Sequence, residues 1–251
     1  MASRWLVLTL LAAVGKADEC RLNGPLELSR TLSTNSPYVT VPFTPGTLQD
    51  NPFKNTRYRI NDFCVGEHTG THLDSPFHFS ENGWSTDQIP LNRLIANGVF
   101  LNVTEQAAGN ASFRLQPSHI DAWVERHGPF PDNAVLLVSF GWAQRFANRT
   151  LYLGTASTNF TEFRQPGISV EAARRLANID QLVGVGVDTA SVDAPGSGDV
   201  HVILAAKNMY NLEHVDLDQP CLPAKGFKVF SMPVKVQGGT GAPARVIVVP
   251  H

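Results

Sequence analysis

Three histidines and one aspartate fall within the eleven residues His68-Thr-Gly-Thr-His72-Leu-Asp74-Ser-Pro-Phe-His78, in a chain that has only eight histidines. Imidazole nitrogen combined with carboxylate oxygen suits a divalent cation such as Zn²⁺, Mn²⁺ or Fe²⁺. A helix through this stretch is disfavoured by Thr69 and Thr71, by Gly70, and by Pro76, which pushes Ser75 toward extended geometry. In an extended chain, positions 68, 72, 74 and 78 share parity and point to one face, unlike histidines scattered on a surface loop. Ten residues at ~3.3 Å each span ~33 Å, too far for one ion. The chain must therefore bend, and Gly70 and Pro76 are where bending is cheapest. The spacing predicts a bent strand wrapped around a metal.

Neighbouring residues have supporting parts in this reading. Thr71 and Ser75 are expected to brace the ligands through hydrogen bonds. Phe77, Phe79 and Trp84 are either an aromatic wall for a planar substrate or part of the core. Cys64, four residues before His68, is either a further ligand or, as cysteine chemistry favours, buried or bridged. Other catalytic signatures are missing: there is no G-x-S-x-G elbow, no H-E-x-x-H and no glycine-rich phosphate loop leading into a helix.

These groups need a scaffold. Near-continuous apolar runs at 98–103, 134–140, 182–187, 227–231 and 245–249 read as strands covered on both faces. Helices are expected over 117–128, with Ser118 as cap and Asp121 three residues on, over 169–178, starting with Ser169 and Glu171, which suit a positive helix N-terminus, and over 200–210. The stretch 18–95 has few regular periods and is expected to build loops and irregular strands around the site. The chain reads as mixed α/β, with one domain over 18–251.

Residues 1–17 have the pattern of a signal peptide: basic Arg4, the apolar run 5–14, and small residues Gly15 and Ala17 before a cleavage point. Four N-x-[ST] sequons, at Asn102, Asn110, Asn148 and Asn159, are consistent with a secreted glycoprotein whose sequon segments face water. Cys20, Cys64 and Cys221 allow one disulfide in an oxidising compartment and leave one thiol over. A formal charge of −2 without a Lys/Arg run excludes nucleic acid as the expected partner, and no apolar stretch is long enough for a membrane span.

The pattern H-x-G-T-H-x-D-x-P-x-H, formed by His68, Gly70, Thr71, His72, Asp74, Pro76 and His78, resembles the signature of the metal-dependent cyclase family, which includes bacterial kynurenine formamidase and isatin hydrolase. The resemblance extends over LELSRTLS (26–33), STDQIPLNRLI (85–95), GVGVDTASVD (184–193) and GGTGAPARVIVV (238–249). It implies a single-domain cyclase-like swivelling β/β/α fold, with mixed sheets and flanking helices. It also implies that His68, His72 and Asp74 hold one metal, while Asp74 bridges to a second held by His201 and Glu213. In the alternative single-metal site, His201 and Glu213 support from behind. His201 and Glu213 stand twelve apart, ~18 Å on a continuous helix, so they meet only if the chain folds back near 207–211.

By the same resemblance the cofactor is Mn or Zn, one or two ions per subunit. A net positive centre keeps a bound water acidic, near pKa ~7, and the attack falls on an amide. His78 is the proton carrier, or else a further ligand. Asp188, Ser191 and Asp193 tie the site together or form a polar turn. The implied activity is hydrolysis of an aryl formamide such as N-formylkynurenine, a step of tryptophan catabolism. A cyclic amide such as isatin is the alternative, and a secreted binding protein with a structural metal is the non-enzymatic reading. Family members imply a homodimer or homotetramer. Ser139-Phe140 departs from the Arg-Thr pair common in relatives, which puts the substrate in question rather than the metal chemistry.

Overall fold

The computed structural model describes residues 22–33, 37, 43–44, 48–50, 57–60 and 62–251; the leader at 1–17 and Cys20 lie outside the described residues. The elements that position the site are, in chain order, strands β1 (Leu26–Glu27), β2 (His72–Asp74) and β3 (Ile95–Asn102), helix α1 (Pro117–His127), strand β4 (Ala134–Ser139), helix α2 (Val170–Ala177), strand β5 (Leu182–Val187), helix α3 (Asp199–Ala205), and strands β6 (Tyr210–Glu213), β7 (Lys225–Pro233) and β8 (Gly241–Pro250).

The strands form one mixed sheet in the order β1-β8-β7-β3-β4-β5-β6-β2. Strands β3, β4, β5 and β6 run parallel, and the other pairings are antiparallel. The start of β8 also pairs with β2, so the sheet closes into a barrel and leaves neither strand with a bare edge. Short strand pairs, Phe43–Thr44 with Asp62–Phe63 and Leu48–Asp50 with Arg57–Arg59, occupy the irregular N-terminal stretch.

Continuous apolarity in the central strands follows from cover on both faces. Along β4, Val135 and Leu137 join the core that also holds Leu73, Phe227 and Val246, while Ala134, Leu136 and Val138 join the other. That second core receives Ile120 and Trp123 of α1, Ala172, Ala173 and Leu176 of α2, and Val200 and Leu204 of α3. Each fully buried Ile, Leu or Val among them contributes about 1.5–3 kcal/mol of transfer free energy, so the helices are held by their apolar faces rather than by length.

Two helix boundaries differ from the sequence expectation. Helix α1 is capped by Gln116, not Ser118: with Pro117 in the first turn, the Gln116 side chain and the His119 ring cap each other's backbone N–H groups. Helix α3 ends at Ala205 rather than continuing to 210, because Asn208 takes a left-handed φ of 53° and turns the chain into β6. Ser169 caps α2, its side chain accepting from Ala172 N–H at 3.0 Å. No described helix is long and apolar enough to cross a membrane.

Candidate metal centre

The register of β2 explains why distant residues meet. His72 pairs across the strands with Glu213 on one side and with Pro243 on the other, while Asp74 pairs with Asn211 and Gly241. Side chains alternate along a strand, so His72, Asp74 and Glu213 share a face while Leu73, fully buried, points to the opposite core. Bending occurs where expected. Gly70 has φ 61°, and Pro76 opens a short 3₁₀ helix, Pro76–His78, preceded by an extended Ser75. This brings His68 and His78 back over the strand, with their rings stacked at 4.1 Å. Gly241 is needed opposite: a Cβ there would lie 2.6 Å from His68 Cε1.

Asp74 is the hub. Its Oδ1 lies 2.6 Å from His68 Nδ1 and 3.0 Å from His72 Nε2, and its Oδ2 lies 3.0 Å from His201 Nε2. Glu213 adds Oε2 at 3.6 Å from His72 Nε2 and Oε1 at 3.3 Å from His201 Nε2. His201 arrives from α3 because the chain folds back through Asn208, whose Oδ1 accepts from Trp84 N–H at 3.0 Å.

Each of these three imidazoles has its far nitrogen occupied. His72 Nδ1–H donates to Gly70 O at 2.8 Å, and His201 Nδ1–H donates to the Asp193 carboxylate at 2.5 Å. His68 Nε2–H donates to Thr240 Oγ1 at 3.1 Å, because the Thr240 hydroxyl itself donates to Glu67 Oε2. These bonds turn three lone pairs toward the carboxylates, as metal-ligating histidines require. His72 Nε2 is buried and has no well-formed hydrogen bond. An orphaned buried nitrogen beside two carboxylates fits a cation.

Charge points the same way. Burial would lower the His72 pKa, yet the adjacent Asp74 and Glu213 carboxylates raise it to about 9. For His201, too, burial is outweighed, by hydrogen bonds to Asp193, Asp74 and Glu213, and its pKa is raised well above the usual value. Burial pushes Asp74 up, but the facing imidazoles, His72 foremost, hold it well below the usual carboxylate range. A desolvated carboxylate costs several kcal/mol unless compensated, and here the carboxylates draw protons onto their neighbours. A divalent ion would supply that positive charge and leave the imidazoles neutral.

Among the described residues, two sets of groups could hold an ion: His68, Asp74 and His78, and His72, Asp74 and Glu213, with ligand atoms in each set within 4.8 Å of one another. Both include Asp74. This division differs from the expected one, since His78 falls in with His68. Burial lowers the His78 pKa to about 4, opposed by Asp74 and helped by its histidine neighbours.

The centre opens into a cleft of about 280 Å³ whose aromatic lining is Phe79, Phe160 and Phe163. Phe79 stacks on the His201 ring at 4.5 Å. Phe77 and Trp84 do not line this cleft: Phe77 is exposed, and Trp84 packs against the core with Arg93 over its ring at 4.9 Å. Thr71 and Ser75 bond to backbone groups around the loop and not to the candidate ligands' side chains. Thr71 Oγ1 donates to His214 O and accepts from Arg30 N–H, and Ser75 Oγ donates to Gly239 O and Thr240 O. Ser191 lines the cleft. Asp188 faces away from it, accepting from the backbone N–H groups of Phe140, Trp142 and Ala143, and burial raises its pKa to about 6 despite those bonds. Asp193, by contrast, is anchored by Val200 N–H at 2.8 Å and orients His201.

Cys64 is exposed and free, contrary to the expectation of a buried or bridged residue, and it stands outside both ligand sets; Cys221 is disulfide-bonded. Asn102, Asn110, Asn148 and Asn159 are all exposed. Sequence reasoning overlooked Glu67, Gln165, His214 and Thr240. Glu67 and Thr240 adjoin quoted motifs, and adjacency could have flagged them; nothing local marks Gln165.

The "Putative cyclase" family model matches residues 26–194. The chain is 28% identical over 233 residues to an isatin hydrolase of Roseibium aggregatum, covering 88% of this chain and 85% of that protein. It is 25% identical over 191 residues to a kynurenine formamidase of Salinibacter ruber, covering 75% and 79%. Its fold superposes on a crystal structure of an isatin hydrolase bound to the product analogue thioisatinate with TM-score 0.79 at 25% identity, covering 90% of this chain and 92% of the other.

Proposed function

Given that this chain belongs to the cyclase family, with more than half of its length inside the family match, we propose that it is a secreted, metal-dependent hydrolase of an amide C–N bond. The observation that carries this reading is the arrangement around Asp74: three imidazole lone pairs converge on one buried carboxylate, each ring fixed from behind. The proposed ligands are His68, His72, Asp74, His201 and Glu213, holding one or two ions of Mn or Zn. When bound, a divalent ion acidifies a water and polarises the carbonyl it touches.

The chain's own residues do the rest. His78, on the open side of the centre and stacked on His68, takes a proton from the attacking water and returns one to the leaving nitrogen. Phe79, Phe160 and Phe163 hold a planar aryl group and exclude water from one side of the cleft. Asp193, and Thr240 with Glu67 behind it, keep two imidazoles in the tautomer that faces inward.

The favoured substrate is an aryl formamide such as N-formylkynurenine. Isatin is the second reading, supported by the similarity to isatin hydrolase. The test is release of aryl amine from a formamide panel, and ring opening of isatin, with and without chelator. Chelator-sensitive turnover supports the enzyme, and metal uptake without turnover of either class would favour a binding protein.

Secretion and glycosylation rest on the leader pattern, on four exposed sequon asparagines and on the disulfide at Cys221. Glycosidase-sensitive mass on protein recovered from medium checks both. A homodimer or homotetramer is the proposed assembly, read by light scattering.

A further inference from the structure

Gln165 lines the same cleft as Phe163, Ser191 and the carboxylates of Asp74 and Glu213, yet it is only 1% exposed. Its orientation is determined by one contact. Oε1 accepts from Ala190 N–H at 3.0 Å, and only the oxygen end of an amide can meet a backbone donor. The NH₂ group is therefore the other end. Among the described residues, none is hydrogen-bonded to it. The backbone beneath is held as well: Gln165 O accepts from Arg114 Nη1 at 3.1 Å, and the same nitrogen donates to Phe113 O at 2.6 Å. The residue is nearly buried, and its amide donor, which has no hydrogen bond to a described residue, is left to be satisfied from the cleft that it lines. It is rigidly mounted in a cavity of small-molecule size.

We propose that Gln165 is a specificity residue whose Nε2 donates to a carbonyl or carboxylate oxygen carried by the substrate's aromatic ring, beside the scissile amide. This rests on the hydrolase reading for what the cleft holds. The imidazoles and carboxylates take the scissile group, and three phenyl rings take the aryl plane. An amide donor fixed in the same 280 Å³ must then read a second oxygen close to the first. Both candidate substrates named above carry a ketone on the ring carbon next to the nitrogen-bearing one. An aryl amide lacking that oxygen leaves the Gln165 donor buried and unpaired, and is discriminated against for that reason.

The test compares the metal-loaded full chain with Gln165→Met, which keeps length and bulk but has no donor, and Gln165→Glu, which keeps the oxygen for Ala190 and turns an acceptor into the cleft. Calorimetry uses two product-like probes, 2-aminoacetophenone and aniline. The wild type should bind the ketone about ten-fold or more tightly than aniline. Gln165→Met should lose that preference while its aniline affinity, melting temperature and metal content stay near wild type. Gln165→Glu should disfavour the ketone further. In kinetics, kcat/KM for 2-formamidoacetophenone should fall by a similar factor in Gln165→Met, with formanilide nearly unchanged. Equal preference in wild type and Gln165→Met, or parallel losses for both probes, would overturn the proposal and leave Gln165 as a brace. The binding comparison stands whether or not any amide is hydrolysed. A chain that binds with the predicted preference but turns nothing over keeps Gln165's role and refutes only the hydrolase reading.

Discussion

Nδ1 of His201 lies 2.5 Å from Oδ2 of Asp193, and this bond turns the opposite ring nitrogen toward Asp74 and Glu213. Asp193 is itself fixed by the backbone N–H groups of Val200 and His201 at the start of α3. Asp193→Asn preserves the shape and weakens the charge behind the imidazole. Divalent-metal affinity is expected to fall about 10- to 100-fold, read by competition with a chromogenic chelator. Unchanged affinity would assign Asp193 to helix capping alone.

Thr240 does the same for His68, by a neutral route. Its hydroxyl accepts from His68 Nε2–H only because its own proton goes to Glu67. Thr240→Val removes the acceptor and frees the ring to take the wrong tautomer. Metal affinity should drop about 10-fold or more, and Thr240→Ser should restore it. If the serine variant fails to rescue, the methyl group and not the hydroxyl is what matters.

How much of this was legible from residue order alone differs by residue. His68, His72, Asp74 and His78 share parity within eleven positions, so their common face followed from strand geometry, and the bends at Gly70 and Pro76 followed from backbone chemistry. The central strands were readable because cover on both faces leaves continuous apolar runs. Glu213 meets His72 through strand register, which spacing does not encode, and only the family resemblance pointed to it. The overlong helix at 200–210 has a simple cause: Asn208 reverses the chain, but the apolar Met209 and Tyr210 beyond it continue to look helical. Phe77 and Trp84 looked like pocket residues by proximity, whereas the cleft takes Phe160 and Phe163 from a segment far along the chain.

Acid stability of the metal-free chain offers a test beside the ligand set, at His214 next to Glu213. Burial lowers the His214 pKa to about 3, helped by the charge of His72 and opposed by Asp74. A histidine whose folded pKa is depressed stays neutral in the fold while the unfolded chain takes up a proton near pH 6.5. The stability it contributes is complete above about 6.5 and is lost as pH falls from there toward about 3. Between pH 7 and pH 5 the loss is about 2 kcal/mol. His214→Asn, which tolerates the residue's left-handed φ of 55°, should flatten the melting profile over that window. An identical slope in variant and wild type would show that His214 does not titrate this way.

His78 has two possible jobs, and one variant separates them. His78→Ala should abolish amide hydrolysis, by about 10²-fold or more for loss of a general acid–base, while metal content stays near wild type. Loss of metal in parallel with activity would make His78 a ligand, as its grouping with His68 and Asp74 allows.

The most direct measurement is elemental analysis of the purified full-length chain beside Asp74→Asn, after both are offered Mn²⁺ and Zn²⁺ and dialysed. If the convergence of imidazoles on Asp74 builds a metal centre, the native chain retains one or two ions and the variant retains almost none, with hydrolysis lost in step. A folded native chain that keeps no divalent ion under any loading condition, or an Asp74→Asn variant that is fully loaded and active, would contradict it.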